Sequence, residues 1–318
     1  MTKQLKVSRR EFLKLAGITL SAVALKACAP NISIETATPT TISPTSIPTV
    51  TPTHTPPAPT AMPVEALFPD MVLVEAGSFQ MGAMDGYPDQ QPVHTVNISK
   101  PFYIAKYEVT FEEYDRFCND TLKRKPKDNW GRGNQAVLNV NWIDVVDYCN
   151  WLSEKAGLTP CYNGKGKLTA CDFSSNGYRL PTEAEWEWAA RGGPKSQGFL
   201  YAGSNDPDEV AWFVDNSSDQ MHPVGQKLPN ELSLYDMSGN IYEWCWDWYS
   251  KDYYAISPVD DPQGPPPPMT NQPWELNRVR RGGCWHVIAD DIRLTTRSFD
   301  YMKFNELGDN GFRLVRNT

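Results

Sequence analysis

The sequence predicts a mixed α/β (α+β) fold with little regular secondary structure. Helical and strand patterns both occur between Met71 and Gly193, without an internal repeat, which is typical of a mixed domain. Beyond Gly193 the chain is rich in turn residues and shows few regular patterns. The chain also holds eleven tryptophans, and large rings supply core contacts in loop-rich chains. We therefore interpret most of the tryptophans as core residues.

The segment from Gly177 to Gly193 predicts a helix with a well-defined start. Thr182 and Glu185 have the spacing of a capping box, in which each side chain binds a free backbone N–H of the first turn. Pro181 marks the start because proline cannot extend a helix backwards. One face of this helix is apolar and is expected to pack against another element. That face comprises Trp186, Ala189 and Ala190.

Further strands and helices are predicted upstream of this segment. The predicted strands are Met71–Glu75, Val93–Ile98 and Phe102–Tyr107. Thr110 and Glu113 predict a second capped helix start. Apolar residues then recur with helical spacing from Trp142 to Ala156, and Gly157 is expected to end that helix.

The N-terminus has the features of an export signal. Arg9 and Arg10 stand in Ser-Arg-Arg-Glu-Phe-Leu-Lys, the pattern of a twin-arginine signal, which is an address read by a receptor. The apolar run that follows, Leu13 to Ala27, is too short to span a bilayer and then stop. We therefore expect residues 1–27 to be a signal peptide and the chain to be exported to the periplasm or the outer face of the cell membrane.

The segment after the signal predicts a lipid anchor and a stalk. Leu25-Lys-Ala-Cys28 resembles a lipobox, so Cys28 is expected to be lipidated and to hold the protein on a membrane. Lys26 is unusual in such a box, and ordinary cleavage near Ala27 or Ala29 is the alternative. Residues 28–66 are rich in threonine and proline and predict a disordered stalk. Residues 67–318 then form the globular domain.

Five sequence blocks resemble the formylglycine-generating enzyme family, also called the sulfatase-modifying-factor family. The most specific block is Arg179–Gly193, Arg-Leu-Pro-Thr-Glu-Ala-Glu-Trp-Glu-Trp-Ala-Ala-Arg-Gly-Gly. The others are Phe79–Gly82, Phe102–Thr110, Leu234–Cys245 and Arg280–Trp285, the last closing with Gly311–Leu314. The resemblance implies a complex α/β fold, related to C-type lectins, with little regular secondary structure.

One of these blocks carries a candidate calcium site. Two carboxylates separated by a glycine-containing turn can converge their oxygens on a hard cation. The family holds a structural calcium at this motif, and the resemblance implies four ligands here. They are the side chains of Asp236 and Glu243 and the backbone carbonyls of Gly239 and Ile241. The alternative interpretation is a helix-capping aspartate and a surface glutamate.

The C-terminal block departs from the pattern of active family members. Those members have Gly-Gly-Ser followed by two cysteines, which bind copper and oxidise a substrate cysteine to formylglycine. Cys284 stands at the serine position, and Val287 and Ile292 stand where the copper cysteines would be. Aliphatic side chains cannot replace the soft thiolates of a copper(I) site. We therefore expect neither copper nor the oxidase reaction, and Cys284 and His286 remain as catalytic candidates.

The spacing of the other cysteines and histidines bears on disulfides and metal sites. Cys161 and Cys171 flank a glycine-rich turn and are the first disulfide expected in an exported chain. No Cys-x-x-Cys or Cys/His cluster has zinc spacing, which argues against a structural zinc site. Nothing in the spacing of His94, His222 and His286 indicates a three-histidine iron site.

The segment between Cys284 and Asn310 predicts a ligand-binding surface. Mixed aromatic and charged residues on loops suit ligand recognition, whereas a solvated loop with a few core aromatics is the alternative. The candidate ligand-binding residues are Trp285, His286, Arg293, Arg297, Phe299 and Tyr301.

The sequence thus favours an exported, lipid-anchored binding protein that keeps the family fold without its copper chemistry. Its expected partners are a membrane, through the anchor, and a glycan, a peptide or an envelope protein. A nucleic-acid partner is not expected because the net charge is −8. A divergent formylglycine-generating oxidase or other oxidoreductase, and a scaffold subunit of an envelope complex, are the alternatives.

Overall fold

A computed structural model describes residues 68–318 apart from 271 and 304–308. Arg9, Arg10, Cys28 and the threonine/proline-rich segment lie outside the described residues, so what the sequence predicts for them stays a prediction. The described residues belong to one compact unit. Within the described part, no helix combines the length and the apolar character needed to cross a bilayer.

The described part of the chain mixes short strands with four α-helices. The strands are β1 (Met71–Val74), β2 (Gly77–Met81), β3 (His94–Ile98), β4 (Phe102–Ala105), β5 (Tyr162–Asn163), β6 (Ala170–Cys171), β7 (Tyr178–Arg179), β8 (Tyr242–Trp248), β9 (Asn277–Arg281), β10 (Ser298–Tyr301), β11 (Asn310–Gly311) and β12 (Val315–Asn317). The helices are α1 (Phe111–Thr121), α2 (Trp142–Lys155), α3 (Glu183–Ala190) and α4 (Pro207–Val210). The α+β fold class is confirmed.

Two four-stranded sheets organise these elements. One has the order β1-β4-β12-β7, so the C-terminal strand β12 lies between strands from the first half of the domain. The other has the order β10-β9-β8-β11, with β11 parallel to β8 and the other pairs antiparallel. β2 pairs with β3 and β5 with β6 in two small ribbons. The second sheet positions the candidate site.

The predicted helix starts are confirmed at atomic detail. The Thr182 hydroxyl accepts from the Glu185 N–H at 3.1 Å, and the Glu185 carboxylate accepts from the Thr182 N–H at 2.9 Å. Thr110 and Glu113 form the same capping box at the start of α1. Trp186 and the two alanines of its face are fully buried. Local sequence therefore determines where these helices begin.

The described chain beyond Gly193 has few regular elements, as predicted, but the sequence did not reveal the strand β8. This seven-residue strand is the longest in the described chain, and six of its residues are buried. A strand buried on both faces shows no alternation of polar and apolar residues, so its period is hidden. Trp244 and Trp248 of this strand lie in the core, as most of the tryptophans do, whereas Trp274 is 57% exposed.

The acidic residues of α3 face inwards and pair with buried arginines. Arg297 donates to both carboxylate oxygens of Glu183, at 2.7 and 2.8 Å. Arg281 donates to Glu187 at 2.5 Å and lies 3.5 Å from Glu183. All four side chains are buried. The sequence placed Arg297 on a ligand-binding surface, and the structure corrects this because its guanidinium is a core counter-ion.

The expected disulfide between Cys161 and Cys171 is absent, and both are free thiols. Cys171 is paired with Tyr162 across the β5–β6 ribbon. Because successive side chains on a strand point to opposite faces, Cys161, the residue before Tyr162, points away from that pair. Its thiol instead faces the carbonyl oxygen of Gly177 at 3.3 Å.

Candidate functional site

The C-terminal block brings a cysteine, a histidine and an aspartate together. Gly282 and Gly283 follow β9 with φ of +91° and +75°, a backbone region that favours glycine. A Cβ on Gly283 would lie 2.5 Å from Cγ2 of Ile292, so the turn passes close against that side chain. This close approach leaves the next residue, Cys284, fully buried.

The three side chains form a compact group. One ligand atom from each of Cys284, His286 and Asp309 lies within 4.8 Å of the other two. His286 Nε2 is 3.4 Å from Asp309 Oδ2. Cys284 and Asp309 are buried, whereas the His286 side chain is 39% exposed. The group therefore has a closed side in the core and an open side towards solvent.

Sequence reasoning found Cys284 and His286 but missed Asp309. Asp309 directly precedes β11, which runs parallel to β8, and its carbonyl accepts from the Tyr242 N–H at 2.8 Å. This long-range pairing carries the carboxylate to the Gly-Gly turn. The only available signal was its position just before the Gly311–Leu314 block.

Burial and neighbouring charges shift the pKa values of Cys284 and Asp309 in opposite directions. Burial, followed by the charge of Asp309, raises the pKa of the Cys284 thiol, so it stays protonated at neutral pH. Burial opposes ionisation of Asp309, but hydrogen bonding from His286 and the charge of Arg280 outweigh it and lower the pKa of that carboxyl. Arg280 lies 3.2 Å from Asp309 Oδ1 and over the Tyr242 ring at 3.9 Å. An uncoordinated Cys284 is therefore a poor nucleophile.

The positions of the family's copper cysteines lie in an apolar cluster. Ile292 is fully buried, and Val287 packs against the same cluster. The other members are Tyr201, Val210, Ala211, Phe213 and Ala289. No sulfur donor belongs to this cluster, so the structure offers no thiolate pair at the family's copper position.

The six predicted ligand-binding residues do not form one surface. Trp285 and His286 lie together, with their rings 4.7 Å apart. The Asp300 carboxylate on β10 pairs with Arg280. Because side chains alternate along a strand, its neighbours Phe299 and Tyr301 face the opposite side of the sheet.

Phe299 and Arg293 have partners away from Trp285 and His286. Phe299 stacks on Tyr249, with ring centres 4.2 Å apart, on the other side of the sheet. Arg293 is held by Asp290 at 2.8 Å and Asp85 at 3.4 Å. The predicted surface is therefore reduced to the neighbourhood of Trp285 and His286.

The three histidines considered for iron do not converge. His94 packs on Tyr254, with ring centres 4.6 Å apart, and His222 stacks on Trp212 at 3.7 Å. Within the part of the chain that the structure describes, Cys284, His286 and Asp309 are the only three such side chains whose ligand atoms all lie within 4.8 Å of one another, and His286 is the one histidine among them.

The predicted calcium motif is a tight turn with buried oxygens. Asp236, Gly239 and Asn240 all have φ between +57° and +78°. Asp236 Oδ2 accepts from the Gly225 N–H at 2.7 Å, whereas its buried Oδ1 has no hydrogen-bond partner. Glu243, also buried, is bound by both ends of the Arg313 fork at 2.6 and 2.7 Å.

A third carboxylate, missed by sequence reasoning, adjoins this turn. Glu108 is buried and accepts from the Asn240 side chain at 2.7 Å. Burial, followed by the charges of Asp236 and Glu243, raises the pKa of Glu108. Three buried carboxylates thus adjoin one guanidinium, that of Arg313. The raised pKa values of Asp236 and Glu108 and the unpaired Asp236 oxygen are compatible with a hard cation at this turn.

The fold and the C-terminal Gly-Gly turn define a domain of the sulfatase-modifying-factor class with an altered site. Residues 57–318 match the family described as the Sulfatase-modifying factor enzyme 1-like domain. This chain therefore belongs to the formylglycine-generating enzyme family.

Proteins with several different names resemble this chain. Chaperone protein LppX of Paenibacillus barcinonensis is 36% identical over 281 residues, covering 78% of this chain and 89% of that protein. The formylglycine-generating enzyme of Streptomyces coelicolor is 28% identical, covering 76% and 87%. Serine/threonine-protein kinase Pkn1 of Chlamydia trachomatis is 32% identical over 73% of this chain, which spans only 36% of the kinase.

Solved structures show the same fold. Variable protein 1 of Treponema denticola superposes with a TM-score of 0.67 at 32% identity, covering 78% of this chain and 95% of that one. PvdO from Pseudomonas aeruginosa superposes with a TM-score of 0.61 at 29% identity, covering 79% and 95%. The family fold is thus shared by proteins whose names differ in function, so function must be argued from the site.

Proposed function

We propose that this chain is an exported binding module that has kept the formylglycine-generating fold and lost the copper-dependent oxidase reaction. The observation that carries the proposal is the pair of aliphatic side chains, Val287 and Ile292, packed in an apolar cluster where the reaction needs two thiolates. The remaining thiol, Cys284, is buried and protonated and cannot replace them.

The proposed ligand is an extended apolar segment of another exported protein. Next to the Gly-Gly turn, Ile288 is 54% exposed and Val214 is 46% exposed. The Val214 N–H donates to the Val287 carbonyl at 3.0 Å, which joins the two segments. Trp285, three residues before Ile288 in the chain, packs edge to face with Trp130, with ring centres 5.1 Å apart. We call these residues, Val214, Ile288, Trp130 and Trp285, the apolar surface.

Two arguments favour a protein as the ligand. Neighbouring exposed apolar groups of this kind mark protein-interaction sites more often than sites for polar ligands such as glycans. Chaperone protein LppX, which is similar over most of its length, carries a name that fits binding of protein clients. Lipid anchorage through Cys28 would hold the module at the membrane surface, where exported chains emerge.

Suppression of aggregation tests this proposal. The purified chain should slow the aggregation of a chemically unfolded reporter protein, and Ile288→Asp and Val214→Asp should abolish most of that effect. Ile256→Asp, at a side chain that is 76% exposed in another loop, is the matched control and should behave as the native protein does. Equal activity of all variants, or none in the native protein, would contradict the proposal.

The oxidase alternative has a separate test. A Cys-x-Pro-x-Arg peptide incubated with the chain, copper, oxygen and a thiol reductant should gain no aldehyde. Aldehyde formation above that of a copper-only control would show that the oxidase reaction has survived with other ligands.

We also propose that the turn containing Asp236 binds a structural calcium ion. The side chains of Asp236 and Glu243 and the carbonyls of Gly239 and Ile241 would hold it, and it would balance the buried negative charge that includes Glu108. Its role there is to stabilise the turn, because a hard cation favours the ionised form of Asp236 and Glu108, whose pKa values burial raises.

Calcium should therefore stabilise the native protein against unfolding. At a calcium concentration 100 times the dissociation constant, the gain is about 2.7 kcal/mol. Thermal unfolding in calcium, in magnesium and in a chelator measures this. Asp236→Gly, which suits the positive φ and removes the side-chain oxygens, should abolish the response. Asp236→Asn keeps one oxygen and should retain it; a response that survives Asp236→Gly would place the ion elsewhere.

A further inference from the structure

We infer that Cys284, His286 and Asp309 bind one divalent transition-metal ion of the zinc type, with one coordination position open to solvent. This site is separate from the calcium turn, which offers only oxygen donors, and it goes beyond the proposed binding function. The sequence argued against zinc because no cluster has the spacing of a four-ligand structural site. The structure assembles a three-ligand site from Cys-x-His and a distant aspartate instead.

The distances suit a single ion. Zinc bonds of about 2.0–2.3 Å place neighbouring ligand atoms of a tetrahedral site roughly 3.3–3.8 Å apart. His286 Nε2 and Asp309 Oδ2 are already 3.4 Å apart. All three donor atoms lie within 4.8 Å of one another, so small side-chain rotations bring them to one ion.

Groups around the cluster support metal binding. Arg280 lies 3.2 Å from Asp309 Oδ1, which leaves Oδ2 on the side of His286. Arg280 is itself held by Asn310 at 2.7 Å, and this second contact orients the guanidinium. Such outer contacts orient ligands in metal sites.

The donor set selects the class of metal. One sulfur, one imidazole nitrogen and one carboxylate oxygen suit zinc or cobalt(II), whereas calcium prefers oxygen alone and a copper(I) site needs soft donors. Binding replaces the thiol proton of Cys284 by the metal and releases that proton to solvent, with no change of oxidation state. Since His286 is partly exposed, the fourth position is reached by water or by a donor atom of a bound protein.

Cobalt(II) titration of the purified, untagged chain tests the inference. The titration is made with excess calcium, so that the oxygen site is occupied, and with thiols kept reduced. The native protein should bind one cobalt ion with a thiolate-to-cobalt charge-transfer band, and one equivalent of zinc should remove the band. His286→Ala should weaken binding at least about tenfold, and Cys284→Ser should remove the band.

Controls separate this site from unspecific binding. His286 is partly exposed, so its alanine variant should fold normally and remains decisive even if Cys284→Ser, at a buried position, does not fold. Cys118→Ser and His54→Ala remove a thiol and an imidazole elsewhere and should leave the titration unchanged. Absence of a stoichiometric band in the native protein, or the same affinity and band in His286→Ala, would overturn the inference.

Discussion

Replacement of Arg297 by methionine should lower the free energy of unfolding by about 3–5 kcal/mol, because it leaves a buried carboxylate without its main counter-ion. Arg297 makes both of its short ionic contacts with Glu183, at 2.7 and 2.8 Å. Once it is removed, the Glu183 carboxylate keeps, among the described residues, Arg281 at 3.5 Å and the Tyr254 hydroxyl at 3.3 Å. Urea unfolding followed by tryptophan fluorescence measures the change.

Arg293→Met is the matched control for this variant. Arg293 has the same side chain, lies four residues away, and pairs with acids that are 60% and 77% exposed. Exposed ion pairs contribute little, so its loss should cost no more than about 1 kcal/mol. Equal costs for the two arginines would contradict a core role for Arg297.

The double variant Glu183→Gln/Arg297→Met separates the ion pair from simple packing. If the cost arises from an uncompensated charge, neutralising Glu183 as well should recover part of the stability lost in the single variant. If the double variant is as unstable as the sum of the two single variants, lost packing explains the effect instead.

The second large effect is expected at the positions of the missing copper ligands. Val287→Cys/Ile292→Cys should convert a chain without stoichiometric copper(I) binding into one that binds one copper(I) ion. Ile292 is fully buried in the apolar cluster and Val287, partly buried, packs against it, so two thiolates at these positions would share one apolar environment. Competition with a chromogenic copper(I) chelator measures the gain.

The single variants are the controls for this experiment. Val287→Cys alone and Ile292→Cys alone each add one thiol and should not compete with the chelator. Because Ile292 is fully buried, its shortening should also cost about 1–3 kcal/mol of stability. If the native chain competes as strongly as the double variant, Cys284 or another thiol binds copper and the proposed loss of the copper site is wrong.

Aldehyde formation can then be measured with the double variant. Copper binding without peptide oxidation would show that other parts of the oxidase site have also diverged. Copper binding with peptide oxidation would show that the two thiolates were the only parts missing. Either result leaves the apolar surface, with Ile288 and Val214, to be tested by the aggregation assay.

Several features of this protein are encoded in short stretches of sequence. The capping boxes at Thr110 and Thr182 are confirmed because each depends on two side chains three residues apart. The loss of the copper cysteines is visible in the sequence, because their positions are counted from Gly282-Gly283 and are occupied by Val287 and Ile292. The family follows from blocks spread along the domain, and the match over residues 57–318 confirms it.

Other features depend on contacts between residues that are far apart in the chain. β8 is hidden in the sequence because both of its faces are buried. Asp309 and Glu108 reach their sites only through strand pairing and packing of distant segments. The β5–β6 ribbon pairs Cys171 with Tyr162 and not with Cys161, and the glycine-rich turn alone does not specify this register.

Arg293 and Arg297 illustrate most directly the difference between what local sequence determines and what tertiary contacts decide. In sequence they are the same residue type in the same aromatic and charged segment, and both predict a surface role. Tertiary packing places one beside exposed acids and the other against the buried Glu183. Residue type determines that each carries a charge, but only the positions of distant partners decide whether that charge meets water or a buried carboxylate.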